Sequence, residues 1–208
     1  MKKEELVLTP PPTPPKEGSR LVQKPINNTN FESYVGSSPP LEGLGGVFFE
    51  NDALWVAENL LGKKLVRRFD DGRVEKYVIT ETEAYFGEED LACHAAKGRT
   101  PRTEVMYHAG GKIYVYFIYG MYWLLNFVTG TENHPQAVLI RGLEGINGPG
   151  RVGKILQLDK SFYGETSYLS ERLWIEDAPK VTEFQTAPRI GVGYAGEVWA
   201  NKPWRFFY

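Results

Sequence analysis

Cysteine is almost absent. The 208 residues hold one, Cys93, which excludes an internal disulfide and fits a reducing, intracellular setting. With no second cysteine, and no histidine pair at ligand spacing, the sequence offers no zinc site. No apolar run approaches the ~18 residues that a membrane-spanning helix needs. The chain opens Met1-Lys2-Lys3-Glu4-Glu5 and then turns Pro-rich, without the apolar stretch of a secretion signal. The expectation is a protein of the cell interior, whether cytoplasm or nucleoid in a bacterium or nucleus in a eukaryote. Positive charge is not in excess either: 24 Lys and Arg stand against 26 Asp and Glu, a net charge of −2. A nucleic-acid partner would therefore have to be held by a local basic face, not by the field of the whole molecule.

Aromatic residues, by contrast, are plentiful, with 12 Tyr, 11 Phe and 5 Trp. Prolines are unevenly spread. Eight of the 14 fall within residues 1–46, which carry no helical or strand periodicity and too little apolar surface to offset ordering entropy. This segment reads as a disordered Pro-rich tail, with a polyproline-II ligand for a partner as the alternative. Residues 47–208 read as one α+β domain: a curved, mostly antiparallel sheet with short flanking helices. Asn51 or Asp52 caps a first helix ending at Gly62. Lys64 to Arg68 and Val74 to Tyr85 form a hairpin about Asp70-Asp71-Gly72. Ile113 to Ile118 and Tyr122 to Val128 form a second about Tyr119-Gly120-Met121. Ala137 to Arg141 is a further strand, 151–158 a short helix, and Leu173 to Glu176 with Ile190 to Val192 complete the sheet.

Several segments carry potential chemistry. On a strand, Glu81, Glu83 and Tyr85 share one face, placing two carboxylates and a phenol beside any flat substrate. The same spacing also describes a solvated strand face. His94 lies eleven residues beyond Glu83, near enough for a loop to return it to that face. Its neighbour Cys93 raises a thiol-nucleophile alternative that no other residue supports. Lys97, Arg99 and Arg102, with Thr100 and Thr103, suit phosphate contacts or a solvated loop equally. Tyr114 and Tyr116 share a strand face, while Tyr119 and Met121 occupy an apolar hairpin tip, where bulky side chains are costly in water. Such a tip can fill the gap left by an extruded nucleotide. Phe117 and Trp123 read as core. Asn126 is a buried polar candidate that needs partners. Arg141 closes an apolar strand and is sufficient as an ion-pair partner for a strand glutamate. Gly148-Pro149-Gly150-Arg151 before a helix offers amides and a cation to a phosphate, with Lys160 beyond it, or is merely a tight turn.

Taken together, Glu81-Thr82-Glu83-Ala84-Tyr85, Arg99-Thr100-Pro101-Arg102, Tyr114-Val115-Tyr116 and Tyr119-Gly120-Met121-Tyr122 resemble the alkyladenine (3-methyladenine, methylpurine) DNA glycosylases. The similarity runs from about Leu54 to Tyr208 and includes Pro135 to Arg141, Gly148-Pro149-Gly150, Arg189 to Val192 and Lys202 to Phe206. It implies a monofunctional enzyme of base-excision repair, monomeric, acting on double-stranded DNA containing damaged purines. Neither cofactor, metal nor membrane is implied. Glu83 then matches the base that activates water and Arg141 the residue that orients it. Tyr85, His94 and Tyr116 match the walls of the base pocket, and Asn126 the residue that crowds a guanine's exocyclic amine. Tyr119 matches the intercalating wedge, with Met121 beside it. Arg99, Arg102, Arg151 and Lys160 match positions near the DNA backbone.

The sequence departs from that pattern after Arg141, where Gly142-Leu143-Glu144-Gly145 replaces the family's Ala-Leu-Glu-Pro and the following loop is short. The short loop bears on the grip on DNA, not on the pocket, and Gly142 is expected to loosen the placement of Arg141. A lesion-sensing binder without catalysis would need neither Glu83 nor Arg141. A helix-hairpin-helix glycosylase, suggested by Gly148-Pro149-Gly150, conflicts with the strand-rich text around it.

Overall fold

The computed structural model describes residues 43–208. The tail and its polyproline alternative lie, except for its last few residues, outside them. Gly43 and Leu44 already join the sheet, Gly43 bridging Glu176 and the Leu44 amide donating to the Ile175 carbonyl at 2.8 Å.

Helix α1 (Gly46–Phe49) is one turn, closed by Asn51, whose amide donates to the carbonyls of Val47 and Phe48. That leaves the N-cap of α2 (Ala53–Asn59) to Asp52, which accepts from the Trp55 amide at 2.9 Å. Strands β1 (Lys64–Arg68) and β2 (Val74–Phe86) form the first hairpin. β3 (Ile113–Ile118) and β4 (Tyr122–Thr129) form the second. β5 (Gln136–Leu143) and the two-residue β6 (Ile146–Asn147) lead into helix α3 (Pro149–Ile155). Last come β7 (Leu173–Glu176), β8 (Gln185–Ala187), α4 (Gly196–Ala200) and β9 (Arg205–Phe207).

The strands make one sheet in the order β3-β4-β5-β2-β1-β7, with β6 on β5, β9 on β2 and β8 on β9, every pairing antiparallel. β2 is its spine. Its first half pairs with β1, and its second half lies between β5 and β9.

Alternation along these strands separates the two faces of the sheet. Ile79, Ala84, Val115, Leu125, Phe127, Val138 and Ile140 face α2 and α3 and build the principal core. Thr82, on this face, is buried and donates to the Ala57 carbonyl of α2. Helix α3 approaches β4 closely because Gly153 has no side chain: a Cβ there would meet the Trp123 carbonyl oxygen at 1.8 Å. The opposite face carries Tyr114, Val128 and Ala137 and is covered by the loop through Cys93, Val105 and Met106.

Two expectations are corrected. Ile190 to Val192 is not a strand; the sheet ends instead with β8 and β9, and the backbone around Ile190 is used by a side chain, as described below. Phe117 is not core: it lies half exposed against Trp123, ring centroids 5.1 Å apart, beside the turn of the second hairpin.

Candidate active site

The second face of the sheet brings the sequence-predicted residues together by register. Tyr114, Asn126, Leu139, Glu83 and Arg205 stand directly opposite one another across β3, β4, β5, β2 and β9, and cross-strand partners share a face. Two residues along β2, Tyr85 stands opposite Ala137. Above this rank lies a cleft of about 330 Å³ including its open mouth, lined by Tyr85, His94, Tyr114, Tyr116, Asn126 and Tyr194 among others.

Glu83 is 0% exposed. One carboxylate oxygen accepts from the Ile190 backbone amide at 2.9 Å and lies 3.6 Å from Arg141 Nε; the other accepts from the Tyr85 hydroxyl at 2.9 Å. Burial raises its pKa above the ordinary carboxylate value, against the lowering effects of the Ile190 amide, Arg141 and Tyr85. This is a desolvated carboxylate opposed in its shift by two hydrogen-bond donors and a nearby guanidinium, an environment that suits a base.

Arg141 owes its place to an irregularity. Opposite β2 the register shifts on either side of Glu81, so that Gly142 faces Glu81, Ile140 faces Thr82, and Arg141 is left unpaired between them. Such bulges re-aim side chains beside active sites. Arg141 Nε reaches Glu81 Oε1 at 3.0 Å, and Arg205 Nη1 reaches the same oxygen at 2.8 Å. Glu81 is thus a bracket for two cations flanking Glu83. Gly142 tightens this arrangement, contrary to the expectation that it loosens Arg141: a Cβ there would meet the Glu81 Cβ at 2.9 Å. Gly142→Ala should accordingly cost about 1 kcal/mol of stability through overpacking and lower activity by displacing Arg141. A mutant with the parental melting temperature and activity would refute that reading of the bulge.

The cleft walls are aromatic. His94 meets Tyr116 edge-on, centroids 4.6 Å apart, and its Nδ1 lies 2.8 Å from the Tyr114 hydroxyl. Burial, with Arg102 and Lys97 nearby, pulls the His94 pKa down to about 4, so the ring is neutral at neutral pH. Arg102 stands over the outer wall, 5.2 Å from the Tyr116 ring centroid. Asn126 finds the partner it needs, donating to the Tyr114 carbonyl at 3.0 Å. Burial pushes the Cys93 thiol up to about 12, which removes the thiolate nucleophile from consideration.

Beyond the cleft, Tyr119 is 81% exposed and Met121 63% exposed. Tyr119 and Gly120 both have positive φ, 55° and 67°, and the Met121 amide donates to the Ile118 carbonyl at 3.2 Å, the signature of a type I′ turn. A tyrosine in that conformation is strained, and nothing among the described residues covers it. Arg99 is committed to Glu104 at 2.6 and 2.8 Å and leans over Tyr107. Arg151 and Lys160 are exposed at the start of α3 and beyond its end, apart from the cleft.

Sequence reasoning gave no role to the Ile190 amide, Arg189, Asp90 or Tyr194. Tyr194 lines the cleft and donates to the Ala92 carbonyl at 3.0 Å. Ile190 lies 107 residues from the carboxylate it serves, and no local periodicity reports such a pairing.

Comparison with known proteins gives this arrangement its class. The family model described as methylpurine-DNA glycosylase matches residues 47–147 and 144–208, nearly all of the described chain. The protein is a DNA glycosylase, a DNA-repair hydrolase of N-glycosyl bonds. Among its relatives is a protein of Methanocella arvoryzae, 43% identical over 180 residues, covering 77% of this chain and 89% of that one. Another, from Legionella pneumophila strain Corby, is 45% identical over 170 residues, covering 77% and 91%. Both are provisionally named 3-methyladenine DNA glycosylases. The chain belongs to the methylpurine-DNA glycosylase family.

Proposed function

We propose that this enzyme extrudes alkylated or deaminated purines of the 3-methyladenine class from duplex DNA and hydrolyses the N-glycosidic bond with water activated by Glu83. The observation carrying this reading is the completely buried carboxylate that accepts from the cleft-lining Tyr85 and from the Ile190 amide, with Arg141 beside it. A purine seated among Tyr85, His94 and Tyr116 would bring its C1′ towards Glu83. Alkylation at N3 or N7 makes the base cationic, and tyrosine faces favour a cation. Glu83 would take a proton from water as that water attacks C1′ and would offset the oxocarbenium charge, while Arg141 holds the water in line. Asn126 would exclude the exocyclic amine of guanine, and a neutral His94 would add no charge to repel a cationic base.

In this reading Tyr119 and Met121 enter the duplex and hold the vacated space, and Arg102 contacts the backbone near the cleft. Arg151 and Lys160 would add phosphate contacts further along, and Arg99 would do so by exchanging Glu104 for a phosphate. The partner is double-stranded DNA and the active form a monomer. Release of 3-methyladenine from methylated duplex DNA, measured by chromatography, tests the proposal; no release above the spontaneous rate would overturn it.

The same reading makes the enzyme monofunctional. A lyase attacks C1′ with a desolvated amine. Among the described residues no lysine lines the cleft: Lys97 is exposed, and Lys112 donates to Thr166 at 2.7 Å. Borohydride added during turnover should trap no protein–DNA adduct, and EDTA should leave base release unchanged. A trapped adduct lost on substituting either lysine would replace water with an amine as nucleophile.

A further inference from the structure

Behind the cleft lies a charged pair that the reading above does not use. Arg189 and Asp90 are both fully buried and joined by two bonds, 2.5 and 2.9 Å, between sequence positions 99 apart. Each partner ties down further backbone. Arg189 donates to the Ala84 carbonyl at 3.0 Å and the Trp199 carbonyl at 3.2 Å. Its guanidinium stands 4.9 Å from the Tyr85 ring centroid and 5.0 Å from that of Trp204. Asp90 accepts from the amides of Phe86 and Ala92, on either side of the turn that leads to His94. The residue after Arg189 is Ile190, whose amide donates to Glu83.

We propose that Arg189, locked by Asp90, is a positioning residue for the reaction: it fixes the Ile190 amide against Glu83 and supports Tyr85 from inside the protein. The inference rests on Glu83 being the base. Three facts carry it. Ile190 itself is exposed, so its amide is not held by packing of its own side chain. The neighbouring Arg189 is buried, and its fork makes four hydrogen bonds and two ring contacts. Finally, a buried ion pair between segments so far apart is weak support for stability, because apolar residues of similar volume often serve as well. A role in setting geometry accounts for it better.

Glu83 faces Glu81, Tyr85 and Tyr116 as well as the cations Arg141 and Arg205. Loss of the Ile190 amide leaves those groups in place and removes a backbone donor, 2.9 Å away, that favours the ionised carboxylate. The acidic limb of activity should then move to higher pH, a response that general loosening of the fold does not produce.

The test uses single-turnover base release from duplex DNA as a function of pH. Arg189→Lys keeps the charge opposite Asp90 but cannot make the forked contacts. The double variant Asp90→Leu with Arg189→Met replaces both charges by apolar groups, the exchange that buried pairs tolerate best. The acidic limb should move up in both, by about one pH unit in the double variant, with the rate recovering towards the parental value at alkaline pH. A limb at the parental position, with either full activity or a uniform loss at every pH, would overturn the proposal. If the double variant does not fold, Arg189→Lys alone decides on the same criterion. Glu83→Gln run alongside separates the two readings. Activity in that variant removes Glu83 as base, whereas its inactivity beside an unmoved limb in the Arg189 variants removes only Arg189.

Discussion

Glu83→Gln should lower base release by at least ~100-fold, the scale of general-base catalysis, while lesion-DNA affinity stays close to that of the parent protein. The amide keeps the shape of the carboxylate and can still accept from the Ile190 amide, so the cleft and its aromatic walls remain. The same substitution should stabilise the fold at neutral pH. Burial raises the pKa of Glu83 in the folded state, so the native protein binds its proton more tightly than the unfolded chain does. Stability from this group is therefore fully present below the unfolded pKa and is lost as pH rises through the folded value. Glutamine has no proton to lose. Its advantage in melting temperature should be present at pH 7 and shrink as the pH falls towards the ordinary glutamate range. Undiminished excision by the mutant would remove Glu83 from catalysis. A lower melting temperature at pH 7 would show that the hydrogen bonds of the carboxylate outweigh its desolvation.

Tyr119→Asn should also have effects of opposite sign on stability and activity. Asparagine tolerates positive φ far better than tyrosine, so the turn at Ile118–Met121 should gain about 1 kcal/mol from relief of backbone strain. The lost ring is 81% exposed and makes little contribution to the core. Extrusion of a stacked base costs a few kcal/mol, and without a wedge the base can fall back into the stack. Excision from duplex DNA should fall by about tenfold or more, whereas a lesion in single-stranded DNA should be processed almost as before. A fluorescent base analogue at the lesion would report the extruded fraction directly. Equal signals from parent and mutant would show that Tyr119 does not hold the duplex open.

What was legible in the sequence was mostly local. The alternation Glu81, Glu83, Tyr85 needs only the two-residue period of a strand, and the structure keeps all three on one face. The apolar tip at Tyr119 was visible because a glycine follows it within a hairpin. Features that depend on register were not. Arg141 reads as the last residue of an apolar strand, and only pairing with β2 reveals that it is bulged out towards Glu81 and Glu83. Ile190 to Val192 has the apolar spacing of a strand, yet its neighbour Arg189 is claimed by Asp90, and the Ile190 amide serves a carboxylate instead of a ladder. Phe117 shares its strand face with core residues, but so near the hairpin tip none of the described elements covers it.

The reach from Glu83 to Ile190 also has a bearing on biosynthesis. At about 5–20 residues per second, the 107 residues between them take about 5–20 s to synthesise. From the emergence of Arg141 until that of Ile190, a growing chain holds Glu83, Tyr85, His94, Tyr116 and Arg141, but neither the amide that donates to Glu83 nor strand β9, which flanks it. An unfinished or prematurely released polypeptide would thus carry most of the proposed base pocket without the amide donor to Glu83. On the proposed role of Glu83, hydrolysis should await residues 190–207, so a chain cut short of Ile190 should be inert.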